Sequence, residues 1–190
     1  MVQTLYVKGS KNILNIRETT LEDLKDILDV EGEAFQRESE ALITRDMLSD
    51  PSAKPRLSLL AFVNNQPVGH ILFTHGYIEE NLQINISFLA PLAVIPKYQR
   101  QGIGGALIKE GIKRLSKMGV DAVFVLGHPE YYPRFGFRPA LNLGFQPTYP
   151  IPVEVTDAWM VLEIHPNIIG KISGKVICCD VMNKPEVWKE

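Results

Sequence analysis

Residues 91–107 read PLAVIPKYQRQGIGGAL, and they constrain the fold more than any other stretch of the chain. An apolar run ends in a proline, a short polar loop rich in glycine follows, and an amphipathic helix then begins. Such a pattern calls for a strand that hands the chain through a tight loop to a helix N-terminus. That end of a helix presents free backbone N–H groups and the positive pole of the helix dipole. Glycines there let an anion approach the backbone closely, so the stretch reads as an anion cradle.

The flanking sequence supplies the rest of a mixed α/β layout. Residues 1–12 read as a loose leader, and residues 13–190 as a single domain. ILNIRE (Ile13 to Glu18) alternates apolar and polar residues as a strand does. Thr20 precedes a helix with Glu22 and Asp23 in its first turn, where negative charge suits the dipole. Leu21, Leu24, Ile27, Leu28 and Ala34 have helical spacing along it. Thr44 and Arg45 are expected to open a second short helix that Pro51 ends. LSLLAFV (Leu57 to Val63) and VGHILFTHGYI (Val68 to Ile78) form a hairpin across NNQP. QINISFLAPLAVI follows, with Pro91 marking a bulge or an edge because it lacks a ladder donor. The helix after the glycine loop runs from Ile103 to Met118, with Gly119 as its left-handed cap. DAVFVLG (Asp121 to Gly127) is a continuous apolar run, as buried parallel strands are. AWMVLEI (Ala158 to Ile164) is a further strand, and GKVICCDV is a candidate for another.

Composition narrows the class. Hydrophobic residues make up 45% of the 190 residues and charged residues 22%, ordinary for a globular protein. The formal net charge of -2 argues against a dedicated nucleic-acid binder. No run approaches the roughly 18 apolar residues of a membrane span. The N-terminal residues lack the apolar core of a signal peptide, so a cytoplasmic location is expected. Cys178 and Cys179 are adjacent, and two neighbours complete neither a disulfide nor a zinc site. No metal is expected.

Three glycine-rich anion sites compete for the loop. A P-loop needs GxxxxGK[ST], which is absent. A dinucleotide fingerprint needs GxGxxG, and Leu107 stands where its third glycine belongs. The third pattern fits. VIPKYQRQGIGGAL, with Gln99-Arg100-Gln101-Gly102-Ile103-Gly104, resembles the (Q/R)-x-x-G-x-(G/A) signature of the GCN5-related N-acetyltransferases, the GNAT family. Downstream, Tyr131-Tyr132-Pro133-Arg134-Phe135-Gly136-Phe137 resembles the family's Y-x-x-x-G-F segment. The resemblance covers roughly Leu14 to Ile164, with both motifs in the family's order. LAPLAVIP, QRQGIGGALI and LGHPEYYPRFGFRPA together resemble one bacterial branch of it.

The resemblance implies a mostly antiparallel central sheet with a splayed strand pair at the cofactor site and helices on both faces. It implies acetyl-CoA as cosubstrate. Main-chain groups of Ala93, Val94 and Ile95 would pair with the pantetheine arm. The loop from Arg100 through Gln101, Gly102, Ile103 and Gly104 to Gly105 would hold the pyrophosphate. Tyr132 would be the general acid that protonates the leaving thiolate, with Tyr131 packing beside it. Many relatives carry a carboxylate base on the strand before the loop, and QINISFLAPLAV has no acidic residue. Glu33 on the first helix and His128 at the end of the DAVFVLG strand are the remaining candidates, although an amine can also arrive neutral.

The expected function is an N-acetyltransferase that moves an acetyl group directly to an amine in a ternary complex. The alternative is a CoA-binding module that senses acyl-CoA without turnover. No nucleic-acid or membrane partner is expected, and the resemblance allows a homodimer.

Overall fold

The computed structural model describes residues 2–7 and 10–188, with side chains from Ile13 onward. Its strands are β1 (Val2–Val7), β2 (Ser10–Glu18), β3 (Leu57–Val63), β4 (Gln66–Ile78), β5 (Ile86–Val94), β6 (Ala122–Leu126), β7 (Arg138–Pro139), β8 (Phe145–Gln146), β9 (Trp159–Glu163) and β10 (Gly174–Ile177). The α-helices are α1 (Leu24–Phe35), α2 (Glu38–Ser49) and α3 (Ile103–Lys117). One sheet runs in the order β1-β2-β3-β4-β5-β6-β9-β7, and β10 joins β4 to β8. Among the described strands only β5–β6 and the short β8–β10 pair are parallel. A parallel neighbour requires a crossover, and α3 provides it between β5 and β6.

Two features of β5 position the site. Ile71 and Phe73 of β4 face Leu92 and Leu89, so β5 carries an extra residue there. This is the bulge expected around Pro91, whose missing N–H would otherwise break the ladder. On its other edge β5 pairs with β6 only over Ile86–Phe88 against Ala122–Phe124, and beyond Phe88 the two strands part. The sheet is thus the mixed, mostly antiparallel one expected, with a splayed pair leading into the glycine loop.

Helices cover both faces because alternate β4 side chains point to opposite sides. Phe73 meets α3 at Gly111, whereas His70 meets α1 at Glu31. The main core lies between these layers, with Ile16, Leu59, Ile71, Leu107 and Val123 fully buried. A second cluster fills the β6–β9 end, where Trp159 stacks on Phe88 and Phe124 at 5.8 and 5.3 Å.

Three expectations need correction. The supposed loose leader includes β1, which pairs antiparallel with Ser10–Asn15 of β2. VQTLYV is rich in strand-forming residue types, and β2 would otherwise leave an open edge; residues 1, 8 and 9 lie outside the described residues. The second helix begins at Glu38 rather than Thr44, with Glu38 and Glu40 at its positive end. Thr44 instead sits inside the helix and is fully buried, so packing overrides its preference for a cap. The first helix is preceded by a 3-10 turn over Leu21–Asp23, and Leu21 is 93% exposed rather than part of the apolar face. Asp23 ties this turn to β2. It accepts from both Arg17 guanidinium nitrogens at 2.7 and 2.6 Å and from the Thr20 N–H at 2.7 Å.

Candidate functional site

A cleft of about 760 Å³ opens where β5 and β6 part. Leu92 and Val94 of β5, the first turn of α3, and the segment from His128 to Phe135 form its walls. The chain reaches it through a sequence of short local bonds. Ile95 N–H donates to Val68 O at 3.0 Å, and the Gln99 and Gln101 side chains donate to the Val94 and Lys97 carbonyls, both at 2.9 Å. Arg100 and Gly102 turn the backbone with φ of 59° and 85°. The first bond of α3 runs from Ala106 N–H to Gly102 O at 2.9 Å. The N–H groups of Ile103, Gly104 and Gly105 therefore have no acceptor within the helix. They form a donor cluster at the positive end of a fifteen-residue helix.

The three glycines do different work. Gly102 adopts a left-handed φ in open space, so backbone conformation alone favours glycine there. Gly104 and Gly105, expected to be small for the sake of a phosphate, are also closely packed. A Cβ on Gly104 would lie 2.6 Å from the Tyr131 hydroxyl, and one on Gly105 would lie 3.1 Å from the Phe135 ring.

The aromatic segment is a 3-10 turn over Tyr132–Phe135, closed by Gly136 at φ 94°. The Tyr131 and Tyr132 N–H groups both point to the His128 carbonyl, at 3.0 and 3.4 Å. The Tyr132 ring lies on Gly127, where an added Cβ would come within 2.3 Å of Cε2. The ring is 7% exposed, yet it still lines the cleft. Burial, with Tyr131 beside it, holds the Tyr132 phenol well above its ordinary pKa, so the hydroxyl remains protonated at neutral pH. Tyr131 is raised by burial too, with Arg134 opposing the shift from a position over its ring.

Of the residues expected to hold the cofactor, Val94, Arg100, Gly102, Ile103, Gly104 and Gly105 border the cleft. Ala93 and Ile95 are buried, and the side chain of Gln101 turns back to the loop. Among the base candidates, His128 is exposed at the cleft wall, whereas Glu33 is exposed on α1 and does not border it. Cys178 and Cys179 are buried free thiols that do not line the cleft, and burial pushes Cys178 up to about 11. Among the described residues there is no group of three or more His, Cys, Asp or Glu arranged to hold a metal ion. No described helix is long and apolar enough to cross a membrane.

One buried polar chain was missed in the sequence. Glu31 Oε1 lies 2.5 Å from His70 Nδ1, and His70 Nε2 lies 2.9 Å from Ser58 Oγ. Glu31 and His70 are fully buried. Burial raises the Glu31 carboxyl above its usual range, while the bond to His70 opposes the shift. The signal was present: Glu31 interrupts the apolar stripe Ile27–Val30–Ala34 of α1, and His70 interrupts an apolar strand.

A helix N-terminus bared at a sheet splay and a phenol that keeps its proton thus border one cleft, and comparison with known proteins identifies the family. The Acetyltransferase (GNAT) family matches residues 21–137, and the chain belongs to this family. It is 44% identical over 164 residues to the uncharacterized N-acetyltransferase YjhQ of Escherichia coli K12, spanning 85% of this chain and 90% of that protein. The crystal structure of the Escherichia coli N-acetyltransferase YhbS in complex with CoA superposes with a TM-score of 0.81 at 27% identity, covering 90% of this chain and 92% of that one. A GNAT-family acetyltransferase from Brucella melitensis in complex with acetyl-CoA superposes with a TM-score of 0.71 at 26% identity, covering 89% and 97%.

Proposed function

We propose that residues 13–190 act as one N-acetyltransferase domain that transfers an acetyl group from acetyl-CoA directly to an amine. One observation carries the reading: the free N–H cluster of α3 and the buried Tyr132 hydroxyl border the same cleft at the strand splay. Bound there, acetyl-CoA supplies an activated thioester. Gly102, with open space around it, leaves room for an anion against the N–H groups of the α3 first turn. The edge of β5 beyond Phe88 has no strand partner, so its main chain is available to an extended ligand. Tyr132 holds a proton at its hydroxyl for the departing sulfur, and its raised pKa keeps that proton in place until it is needed. His128, exposed at the cleft wall, is positioned to accept a proton from the incoming amine. Glu33 lies outside the cleft and is a weaker candidate. Cys178 and Cys179 lie outside it as well, which favours direct transfer over an acyl-enzyme. A cytoplasmic location and action without a metal fit the same reading.

The test is an acetyl-CoA consumption screen over a broad amine panel, with acetylated products identified by mass. An accepted amine and a Tyr132→Phe variant slowed about 10²-fold or more at unchanged CoA affinity are expected. Tight acetyl-CoA binding with no turnover on any amine would instead identify a CoA-sensing module. Wild-type turnover in Tyr132→Phe would remove the phenol from the chemistry.

A further inference from the structure

A second cavity, of about 530 Å³, lies between the end of β2, the start of α1, the end of α2 and the segment entering β3. It shares no lining residue with the cleft described above. The volume is within the range that encloses a small organic ligand. One wall is apolar, made by Leu21, Leu24, Ile27 and Leu48. Leu21 is 93% exposed and Leu24 39% exposed, so two leucines at this mouth are left without a covering partner. The lining also carries Lys54, Arg56 and Ser58.

The charges of this cavity are unbalanced in one direction. Its one carboxylate, Glu18, lies 3.4 Å from Arg114 and is partly neutralised by it. Arg56 has no ion-pair counterpart among the described residues, and its Nη1 is buried without a hydrogen-bond partner. The remaining N–H groups of this unpaired guanidinium are donors to an anion in the cavity. Ser58 adds a second donor. Its Oγ lies 2.9 Å from His70 Nε2, and His70 Nδ1 faces Glu31. Ser58 places its hydroxyl in the cavity lining, at the end of this buried chain.

We propose that this second cavity binds an amphipathic small-molecule carboxylate, its head group on Arg56 and Ser58 and its apolar body against Leu21, Leu24, Ile27 and Leu48. Lys54 and Arg56 against the single carboxylate of Glu18 leave the lining with a small positive excess, which suits a monoanion better than a phosphate dianion. The site does not depend on the transfer reaction proposed for the cleft.

Octanoate is the probe, titrated calorimetrically into the full chain beside octan-1-ol and octylamine, with and without saturating CoA. Octanoate should bind saturably at one site, and the alcohol and the amine about tenfold or more weakly. CoA should not displace it. Arg56→Gln should weaken octanoate about tenfold while leaving CoA binding unchanged. Absence of saturable octanoate binding, equal binding of octanol, or displacement by CoA would each overturn the assignment. The head-group series needs only the wild-type protein, so it decides the matter even where Arg56→Gln does not fold.

Discussion

Replacing Gly111 with alanine in the middle of α3 sets two effects of opposite sign against each other. Alanine favours the helix by about 1 kcal/mol. Its Cβ, however, would stand 2.3 Å from Cε2 and 2.5 Å from Cζ of Phe73. Ordinary contacts between carbons begin near about 3.5 Å, so more than about 1 Å must be found. Phe73 is fully buried in the central strand β4 and has no open side to turn toward, which leaves a lift of α3 as the way out. Overpacking of this kind costs about 1–3 kcal/mol, and a helix displacement belongs at the upper end. The expected net loss is about 2 kcal/mol. Gly32→Ala in α1 is the matched control, because nothing lies within 4 Å of its added Cβ; it should gain about 0.5–1 kcal/mol. Urea unfolding of both variants, at unchanged m-value, reads the two signs from the midpoints. Adding Phe73→Leu to Gly111→Ala should recover part of the loss. A Gly111→Ala midpoint at or above that of wild type would mean that α3 does not rest on Phe73 as described.

Gly127→Ala tests the acid without touching it. The added Cβ, 2.3 Å from Tyr132 Cε2, shifts the ring by about 1 Å, and a misplacement of that size costs about 10²-fold in turnover; unchanged CoA release with an accepted amine would show that ring position does not set the rate. Asp23→Asn removes the anchor between the first turn and β2. The Arg17 guanidinium holds the folded carboxyl well below the usual carboxylate range, so its stabilisation is present above the unfolded pKa of about 3.9 and is lost as pH falls through the folded value. At pH 7 the variant should lose about 1 kcal/mol, less than the about 1.5–3 kcal/mol of a shielded charged hydrogen bond because Arg17 is 43% exposed. Its acid-unfolding limb, followed by circular dichroism, should be flatter than that of wild type.

What could be read from the sequence was local. The strand, glycine loop and helix of residues 91–107 are specified by backbone demands that leave a mark in neighbouring residues: a proline that ends a ladder, a glycine at positive φ, an apolar stripe at helical spacing. The start of α2 was misplaced because Thr44 has a local taste for caps, and only the packing of α2 on the sheet shows it buried. Glu31 was passed over for Glu33 by the same kind of error. Both lie on α1, but burial, which a single helix cannot report, separates a carboxylate bonded to His70 from one in solvent. The apolar spacing around Glu31 was the available clue, and it becomes decisive only once β4 places a histidine opposite.

The same contrast applies to the glycines, and it bears on how the site works. Three of them seat one aromatic turn: Gly127 lies under Tyr132, Gly104 meets the Tyr131 hydroxyl, and Gly105 meets Phe135. Two of these three belong to the cofactor loop. The loop at the start of α3 and the turn that carries the phenol are therefore one packed unit, although a helix and a strand separate them in the chain. A side chain at Gly104 or Gly105 would press on the aromatic turn, and a larger residue at Gly127 would press back through Tyr132. Interiors transmit such strain rather than absorb it. Under the proposed function, donor binding and proton donation would share one mechanical constraint, and substitutions on either motif should perturb both.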